Sequence, residues 1–339
     1  MSIERARTVL GGGRADRHVL MDDATHREFV RYLTGLDCMV DTEEAISQAV
    51  HKLDIDIFWC GFPQNRDENV ENDPNLFGLN PTGWRNADTT KTDVLEHDPA
   101  DLRPELLLDE AAFTEKFRCE NDRNKQFLGD TALNMGYLFT TCFHYAAEDL
   151  DYEEFLCASI THPDEISANL ERYEAASRRY IDAWCRLPIE VMLCHDDIAN
   201  SNSLTLSPDF FRENIFPRYK RLFAPIKEKN IPLLCMTDGN FIEVAQDYLD
   251  VGADGFFVDR PTIELEPLVK IAGEDKLYFT GPTPAIMTCG SPADVAYEMD
   301  MLAEIAKNIP GFMYHMAGGW AKNMPLENVK VFYQKQNRI

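Results

Sequence analysis

Short apolar runs of the kind that form buried strands recur along the whole chain. Most are five to seven residues long and are followed by glycine or by polar residues. Continuous runs of this length are typical of parallel strands that helices cover on both faces. The pattern therefore predicts about eight strands. They fall within residues 17–21, 54–60, 136–142, 190–196, 231–237, 255–259, 276–281 and 311–317.

Helical patterns with recognisable starts lie between many of these runs. Asp41 and Glu44 have the spacing of a capping box, and Ser291 precedes a proline as a helix N-cap often does. In segment 207–230, Pro217 and Pro225 should split or kink the helix. Strands that alternate with helices favour a (β/α)8 TIM barrel of the α/β class, with an open doubly wound sheet as the alternative.

One long stretch interrupts this alternation. Residues 61–125 hold 15 acidic and 8 basic residues and only short helical patterns. Because the stretch also carries Phe77, Leu79 and Trp84, we interpret it as an insertion that forms a lid or a docking surface. The length of 339 residues suits one large barrel, so we expect a single domain over 1–339.

The charge of the chain narrows the classes of partner. A net charge of −25 disfavours binding to nucleic acid or to anionic membrane surfaces.

The sequence has no apolar run of about 18 residues and no signal-peptide pattern, so we expect a cytoplasmic protein. Nine cysteines without a CxxC motif indicate reduced thiols and argue against a closed structural zinc site.

Candidate catalytic residues stand where predicted strands end, which is where barrel enzymes place their active sites. In "CHDD", His195 and Asp197 share one face of the strand. A histidine among acids has a raised pKa and can act as an acid, a metal ligand or a hydrogen-bond donor. In "LLCMTDGN", Met236 and Asp238 likewise share a side at the end of the next strand.

Other strand-end residues have two open interpretations. Asp196 either takes part in the site or caps the segment "IANSNS" that follows it. His315 is either functional or held by a neighbouring backbone carbonyl. His144 follows another strand and is a further candidate for the same rim. Among common motifs, GxGxxG, Walker, GxSxG and HExxH patterns are absent.

Several stretches together resemble the uroporphyrinogen decarboxylase superfamily. They are "ERARTVLGGGRADRHV" near the start, "TLSPDFFRENIFPRYKRLFAPIKEKNIPLLCMTDGNFIEVAQDYLDVGADGFFVD", "LYFTGPTPAIM" and the closing "GGWAKNMPLENV". The resemblance covers most of the chain and is strongest after residue 190. It implies a (β/α)8 barrel. The superfamily contains porphyrinogen decarboxylases and methyltransferases that move methyl groups to or from corrinoid proteins.

Two departures from the superfamily patterns narrow the expected activity. Decarboxylases carry an arginine-rich segment of the RQAGRY kind, whereas the matching region here reads "DRHVLMDDATHREFVRYLTG". Members that methylate thiols usually show His-x-Cys and a late cysteine as zinc ligands. The matching positions here are Met236, Thr237 and Asp238, and the late position falls near Gly319. Methylation of a thiol such as coenzyme M is therefore not expected.

The resemblance implies a corrinoid-dependent methyltransferase of the O-demethylase type, with an anaerobic metabolic role. Its substrates would be a small methoxylated aromatic compound and the cob(I)alamin of a corrinoid protein. His195 and Asp197 would protonate the leaving oxygen, or His195 and Asp238 would hold a metal ion such as zinc. The alternatives are a uroporphyrinogen decarboxylase and an inactive barrel that binds a small ligand. The residues expected to bind the substrate are Trp59, Met236, Asn240 and His315.

Overall fold

The computed structural model describes residues 2–60, 98–150 and 152–339. Contacts divide these residues into two compact units. Unit 1 holds residues 2–60 together with Asn121–Met135 and Val258–Ile339. Unit 2 holds residues 98–120 and Gly136–Phe257. The expectation of one domain over 1–339 stays a prediction.

The described residues form nine short strands. In unit 1 the strands pair in parallel in the order β3-β2-β1-β9-β8, and in unit 2 in the order β4-β5-β6-β7, where the strands are numbered along the chain. They are β1 (Val19–Asp22), β2 (Ile57–Phe58), β3 (Leu133–Asn134), β4 (Gly136–Leu138), β5 (Met192–His195), β6 (Leu233–Met236), β7 (Gly255–Phe257), β8 (Leu277–Thr280) and β9 (Phe312–Tyr314).

Helices follow most of the strands. The α-helices of the described residues are α1 (Ser2–Leu10), α2 (Arg27–Thr34), α3 (Thr42–Leu53), α4 (Pro99–Leu102), α5 (Glu110–Leu128), α6 (Cys142–Asp149), α7 (Tyr152–Thr161), α8 (Pro163–Cys185), α9 (Pro208–Phe210), α10 (Phe216–Glu228), α11 (Ala245–Asp250), α12 (Leu265–Ala272), α13 (Pro284–Cys289), α14 (Pro292–Ala306) and α15 (Leu326–Gln334). Short 3-10 helices span Pro104–Leu107 and Ile242–Val244.

The strands are buried on both faces, as their unbroken apolar sequences predict. Every residue of β1, β5, β6 and β8 is buried. Parallel strands are covered in this way when helices pack on the sheet. The predicted α/β fold of the (β/α)8 barrel type is confirmed, with one strand more than the apolar runs indicated. The missed strand, β3, pairs over only two residues, Leu133 and Asn134.

Proline and capping residues set the helix ends, with one exception to the predictions. A five-residue π-helical segment, Phe211–Ile215, separates α9 from α10, in which Pro217 occupies the first turn and Pro225 the interior. The α-helix is therefore interrupted before Pro217 as predicted, whereas the predicted split at Pro225 is wrong, because α10 continues through it. Ser291 and Asp294 form a capping box at the start of α14. The box predicted from Asp41 is wrong, because its φ of −108° and ψ of 53° leave the side chain without a capping hydrogen bond.

The interrupting stretch 61–125 lies partly outside the described residues. Its described part, 98–125, contains α4, the 3-10 helix Pro104–Leu107 and most of α5. The helix α5 has 19 residues and is longer than the short patterns indicated. A role as lid or docking surface stays a prediction. Among the described residues, no helix combines the length and apolar character that crossing a bilayer requires.

Candidate active site

Three of the predicted site residues form one cluster in unit 2. One possible ligand atom from each of His195, Asp197 and Asp238 lies within 4.8 Å of the other two. Strand pairing explains the convergence, because His195 is the register partner of Met236 at the ends of β5 and β6. Asp197 and Asp238 each follow their strand by two residues, so they leave the sheet at the same end. The catalytic roles of these residues stay predictions.

His195 is the most buried member of the cluster, with 2 % of its surface exposed. Its Nδ1–H donates to the backbone carbonyl of Phe139 at 2.6 Å, and Nε2 lies 2.9 Å from Asp197 Oδ1. Burial disfavours the charged imidazole. The charge and hydrogen bond of Asp197, together with the charge of Asp238, outweigh burial and raise the pKa of His195 to about 9. At neutral pH the ring is therefore an imidazolium.

Asp197 is the anionic partner of that imidazolium. Its Oδ1 accepts from His195 and also from the backbone N–H of Asp238 at 2.8 Å. Burial would raise the pKa of Asp197, but the charges of His195 and His144 and these hydrogen bonds lower it. Exposure increases from buried His195 through Asp197 to exposed Asp238. The cluster therefore opens outward on the side of Asp238.

The Asp196 carboxylate accepts hydrogen bonds from α6, whereas that of Asp197 accepts from His195 and Asp238. Its Oδ2 accepts from the backbone N–H of Phe143 at 2.9 Å and from the Tyr219 hydroxyl at 2.7 Å, and its Oδ1 accepts from the N–H of His144 at 2.5 Å. These amides belong to the first turn of α6. Asp196 therefore caps α6, and the interpretation that it caps the segment following it is wrong.

His144 is a residue of the site that the sequence analysis named only as a further candidate. Its Nε2 lies 3.2 Å from Glu148 Oε1 and 3.8 Å from Asp197 Oδ2. Burial would lower the pKa of His144, but Glu148 and Asp197 raise it. The available signal was its position just after β4, in the first turn of α6. Its distance from Asp197 depends on the α6 cap and was not visible in the sequence.

Met236 and Asn240 flank Asp238 in the same unit. Met236 is buried. Asn240 Oδ1 accepts from the N–H of Ile242 at 3.2 Å, so this oxygen already stabilises the turn. Gly239 has a φ of +87°, and a Cβ there would lie 2.5 Å from the Asn200 carbonyl oxygen. The glycine of "TDGN" is thus required for the turn that places Asp238.

Trp59 and His315 pack together in unit 1. Their ring centroids are 4.3 Å apart at an interplanar angle of 37°, and Phe279 is the next aromatic neighbour of both. His315 Nδ1–H donates to the carbonyl of Met21 at 3.1 Å. Burial lowers the pKa of His315 to about 4 against the weaker effect of that carbonyl. His315 is therefore neutral, and its predicted hydrogen bond to a backbone carbonyl is present.

A pair of buried acids at the end of β1 was missed by the sequence analysis. Asp22 accepts from Trp320 Nε1 at 2.7 Å, from the Tyr333 hydroxyl at 2.9 Å and from the N–H of Ala24 at 2.8 Å. Burial raises the pKa of Asp22. Burial, followed by the charge of Asp22, raises the pKa of Asp23 to about 8. The signal was the same as for His195, namely acids directly after an apolar strand run.

Comparison with known proteins then places the chain in a family. The sequence profile described as uroporphyrinogen decarboxylase (URO-D) matches residues 139–338, which is more than half of the chain. The chain belongs to the uroporphyrinogen decarboxylase family. The match contains β5 and β6 and therefore the whole His195 cluster, so this cluster lies in the part of the chain that defines the URO-D relationship.

This URO-D family chain is similar in fold to solved structures. A methyltransferase from Methanosarcina mazei is 17% identical, with a TM-score of 0.69, over 99% of this chain and 98% of that chain. A protein from Listeria monocytogenes, described as a candidate vitamin-B12 independent methionine synthase, is 17% identical over 66% of this chain and 68% of its own, with a TM-score of 0.43. No curated protein matches the chain.

The donor set of this URO-D family chain fits a divalent cation. Zinc accepts imidazole nitrogen and carboxylate oxygen, and catalytic zinc sites commonly have three protein ligands. The Nδ1–H of His195 is fixed on the Phe139 carbonyl, so the neutral ring would direct the Nε2 lone pair toward the two carboxylates. Exposed Asp238 leaves an open side. His195, Asp197 and Asp238 would therefore hold such an ion.

Proposed function

We propose that this protein is a methyltransferase that moves a methyl group from a small methoxylated aromatic compound to the cob(I)alamin of a corrinoid protein. The main support is the buried imidazolium of His195, which is paired with Asp197 beside the exposed Asp238. The likeness in fold to a methyltransferase is consistent with this reaction class. Fold alone does not determine chemistry, so the proposal depends on the cluster.

The proposed reaction requires that the leaving oxygen be stabilised. The electron pair of cobalt(I) forms the new bond to the methyl carbon, the methyl–oxygen bond breaks, and the oxygen leaves with the bonding pair. The oxygen then takes one proton and the product is a phenol, whose pKa is about 10. A donor that provides this proton while the bond breaks lowers the barrier, which typically raises the rate by a factor of about 10² to 10⁴.

His195 is the proposed source of this proton. Its Nε2–H donates a hydrogen bond to Asp197 in this structure, and the raised pKa of His195 keeps the ring protonated at neutral pH. Asp197 orients the ring and balances its charge. In the alternative arrangement, a divalent ion such as zinc, held by His195, Asp197 and Asp238, would when bound supply Lewis-acid stabilisation of the leaving oxygen.

The remaining predicted residues are proposed to bind the substrate. Met236 offers apolar surface next to His195, its register partner, and Asn240 keeps its side-chain NH2 group for a polar substituent. Trp59 and His315, whose rings pack together in unit 1, stay predicted substrate-binding residues, and stacked or tilted rings of this kind attract a further aromatic ring. Docking of the corrinoid protein is proposed for the insertion 61–125.

A transfer assay tests the proposal. The purified protein is mixed with cob(I)alamin and a panel of methoxylated aromatic compounds under anaerobic conditions, and methylcobalamin and free phenol are quantified. His195→Gln and Asp238→Asn should each reduce the rate by about 10² or more. Asp209→Asn removes a carboxylate that is 86% exposed in the same unit and should leave the rate unchanged. Absence of transfer across the panel would refute the proposed activity.

Family membership keeps uroporphyrinogen decarboxylation as a second candidate. Its substrate carries several carboxylates, which the acidic cluster of Asp197 and Asp238 and the overall charge of −25 disfavour. Anaerobic incubation with uroporphyrinogen distinguishes the two activities. Formation of a product with fewer carboxylates would replace the methyltransferase proposal. If neither substrate reacts and no zinc binds, a barrel that only binds a small ligand is favoured.

A further inference from the structure

A pocket of about 300 Å³ lies in unit 1, and its lining residues include none of the candidate site residues named above. Its walls come from residues 14–18 between α1 and β1, from Ala303 of α14, from Ile309 and Pro310 before β9, and from residues 335–337 after α15. Most of these residues precede β1 or β9, and Tyr314 contributes from the last position of β9. Asp22 and His315 stand at the carboxyl-terminal ends of the same two strands.

The charges around this pocket contrast with those of the chain. Arg14, Arg17 and Lys335 line it, whereas Asp16 is the acidic residue of the lining. Asp16 already pairs with Arg5 at 2.9 Å. The lining thus holds three basic residues and one acidic residue, whereas the whole chain has a net charge of −25. A concave site with cationic walls concentrates anions from solution.

Of the three basic residues, Arg14 makes the fewest hydrogen bonds and ion pairs. Its Nη1 donates to the Lys307 carbonyl at 2.7 Å, and within residues 2–60, 98–150 and 152–339 no carboxylate pairs with it. Arg17 pairs with Asp54 and donates to the Asn337 carbonyl at 3.0 Å. Its Nε is buried and has no hydrogen-bond partner among the described residues. Such a buried donor usually has a partner in the functional state.

The glycine run of the sequence explains how the two arginines reach the pocket. Helix α1 ends at Leu10, and the N–H of Gly13 donates to the Thr8 carbonyl at 2.8 Å. Gly12 has a φ of +81°, and a Cβ at Gly13 would lie 2.9 Å from Thr8 Cγ2. Both positions therefore favour glycine. The tight turn leads directly into Arg14 and Arg17.

The rest of the lining is largely apolar or uncharged. Ile309, Pro310 and Tyr314 contribute carbon surface, and His18 packs edge-on against Tyr314 at a centroid distance of 5.8 Å. Burial and the charge of Arg14 lower the pKa of His18, so the ring is neutral in the absence of an anion. Cationic donors beside apolar walls suit a small molecule with an anionic group and a short carbon skeleton.

We infer that this pocket binds a small organic oxyanion, whose carboxylate or phosphate group is held by Arg14 and Arg17 with Lys335. The guanidinium groups supply the paired N–H donors that planar or tetrahedral oxyanions accept. Lys335 contacts both oxygens of Asp300, at 2.7 and 2.6 Å, so removing the lysine would leave the negative charge of Asp300 unbalanced beside the pocket. The site is independent of the proposed methyl transfer.

Calorimetric titration of the full chain tests this inference with two probes, inorganic phosphate and succinate, at constant ionic strength. Binding of phosphate alone would assign a phosphate ligand, and binding of succinate alone a carboxylate ligand. Arg14→Ala should weaken binding by about tenfold or more, since hydrogen bonds to charged groups are the stronger ones. The Arg14 side chain is exposed and makes one backbone contact, so this variant should fold.

The matched control is Arg118→Ala, which removes an exposed arginine of α5 that pairs only weakly with Glu115. It should bind the probe as the parent does. Lys335→Gln should also weaken binding, which guards against an effect peculiar to Arg14. The inference is overturned if neither probe binds, or if Arg14→Ala and Lys335→Gln both bind as tightly as the parent chain.

Discussion

Asp197 holds His195 through one oxygen, with 2.9 Å between Oδ1 and Nε2, and the same oxygen accepts the backbone N–H of Asp238. The carboxylate thus joins the ends of β5 and β6. Because His195 is buried, its charge depends on this partner more than on solvent. The protonation of His195 is therefore a property of the pair, and it can be changed by substituting Asp197.

Asp197→Asn should lower the pKa of His195 in metal-free protein. The parent value is about 9, and without the Asp197 charge the effect of burial should bring it toward or below the ordinary value of about 6.5. Titration of the imidazole nitrogens by NMR measures this directly. Asp209→Asn serves as the control and should leave the value unchanged. A His195 pKa that stays near 9 in Asp197→Asn would contradict the assigned pairing.

Zinc binding should release about one proton at pH 7.5. His195 is protonated at that pH, and its Nε2 must lose the proton before it can bind a metal ion. The affinity should consequently rise by about tenfold per pH unit below pH 9. Calorimetry in buffers of different ionisation enthalpy counts the protons. Asp238→Ala should weaken zinc binding, and equal affinity in this variant would remove Asp238 from the ligand set.

Asp196 should stabilise the folded protein by capping α6. Asp196→Ala leaves one buried and one partly buried first-turn amide of α6, and the Tyr219 hydroxyl, without their acceptor. The expected loss is about 3–5 kcal/mol in the free energy of unfolding, from the lost cap and the unpaired donors. Tyr219→Phe removes one donor and should cost about 1 kcal/mol. Urea denaturation measures both, and equal losses would disprove the capping role.

The sequence predicted those parts of the site that depend on short-range geometry. Period-two alternation placed His195 and Asp197 on one face, and the barrel prediction brought β5 beside β6. The bond from Asp196 to α6 joins residues more than 50 positions apart. Capping rules consider only residues that are near in sequence, so they assigned Asp196 to the segment that follows it and not to α6.

Burial explains the other differences between the predictions and the structure. Asp22 and Asp23 lie in the segment that departs from the arginine-rich decarboxylase pattern, and the structure buries both, with Trp320 and Tyr333 from the far end of the chain bonded to Asp22. Whether an acid is solvated or enclosed depends on side chains that meet only after folding. The same holds for His315, whose neutral state follows from complete burial beside Trp59.

The enclosed Asp23 should make the protein less stable as the pH rises. Its pKa in the folded chain is about 8, against an ordinary value of 3.8, because burial and the charge of Asp22 favour the protonated form. The folded state therefore holds a proton that the unfolded state releases between these two values. The contribution to stability is complete below about pH 4, decreases as the pH rises toward 8, and stays constant above it.

Asp23→Asn cannot ionise and should remove this dependence. Urea midpoints measured from pH 5 to pH 9 should fall with pH in the parent chain more steeply than in the variant. The difference between the two curves isolates the Asp22 and Asp23 pair from the other titrating groups. Asp209→Asn, whose carboxylate is 86% exposed, should follow the parent curve. Parallel curves for Asp23→Asn and the parent would show that Asp23 is ionised in the folded protein throughout this range.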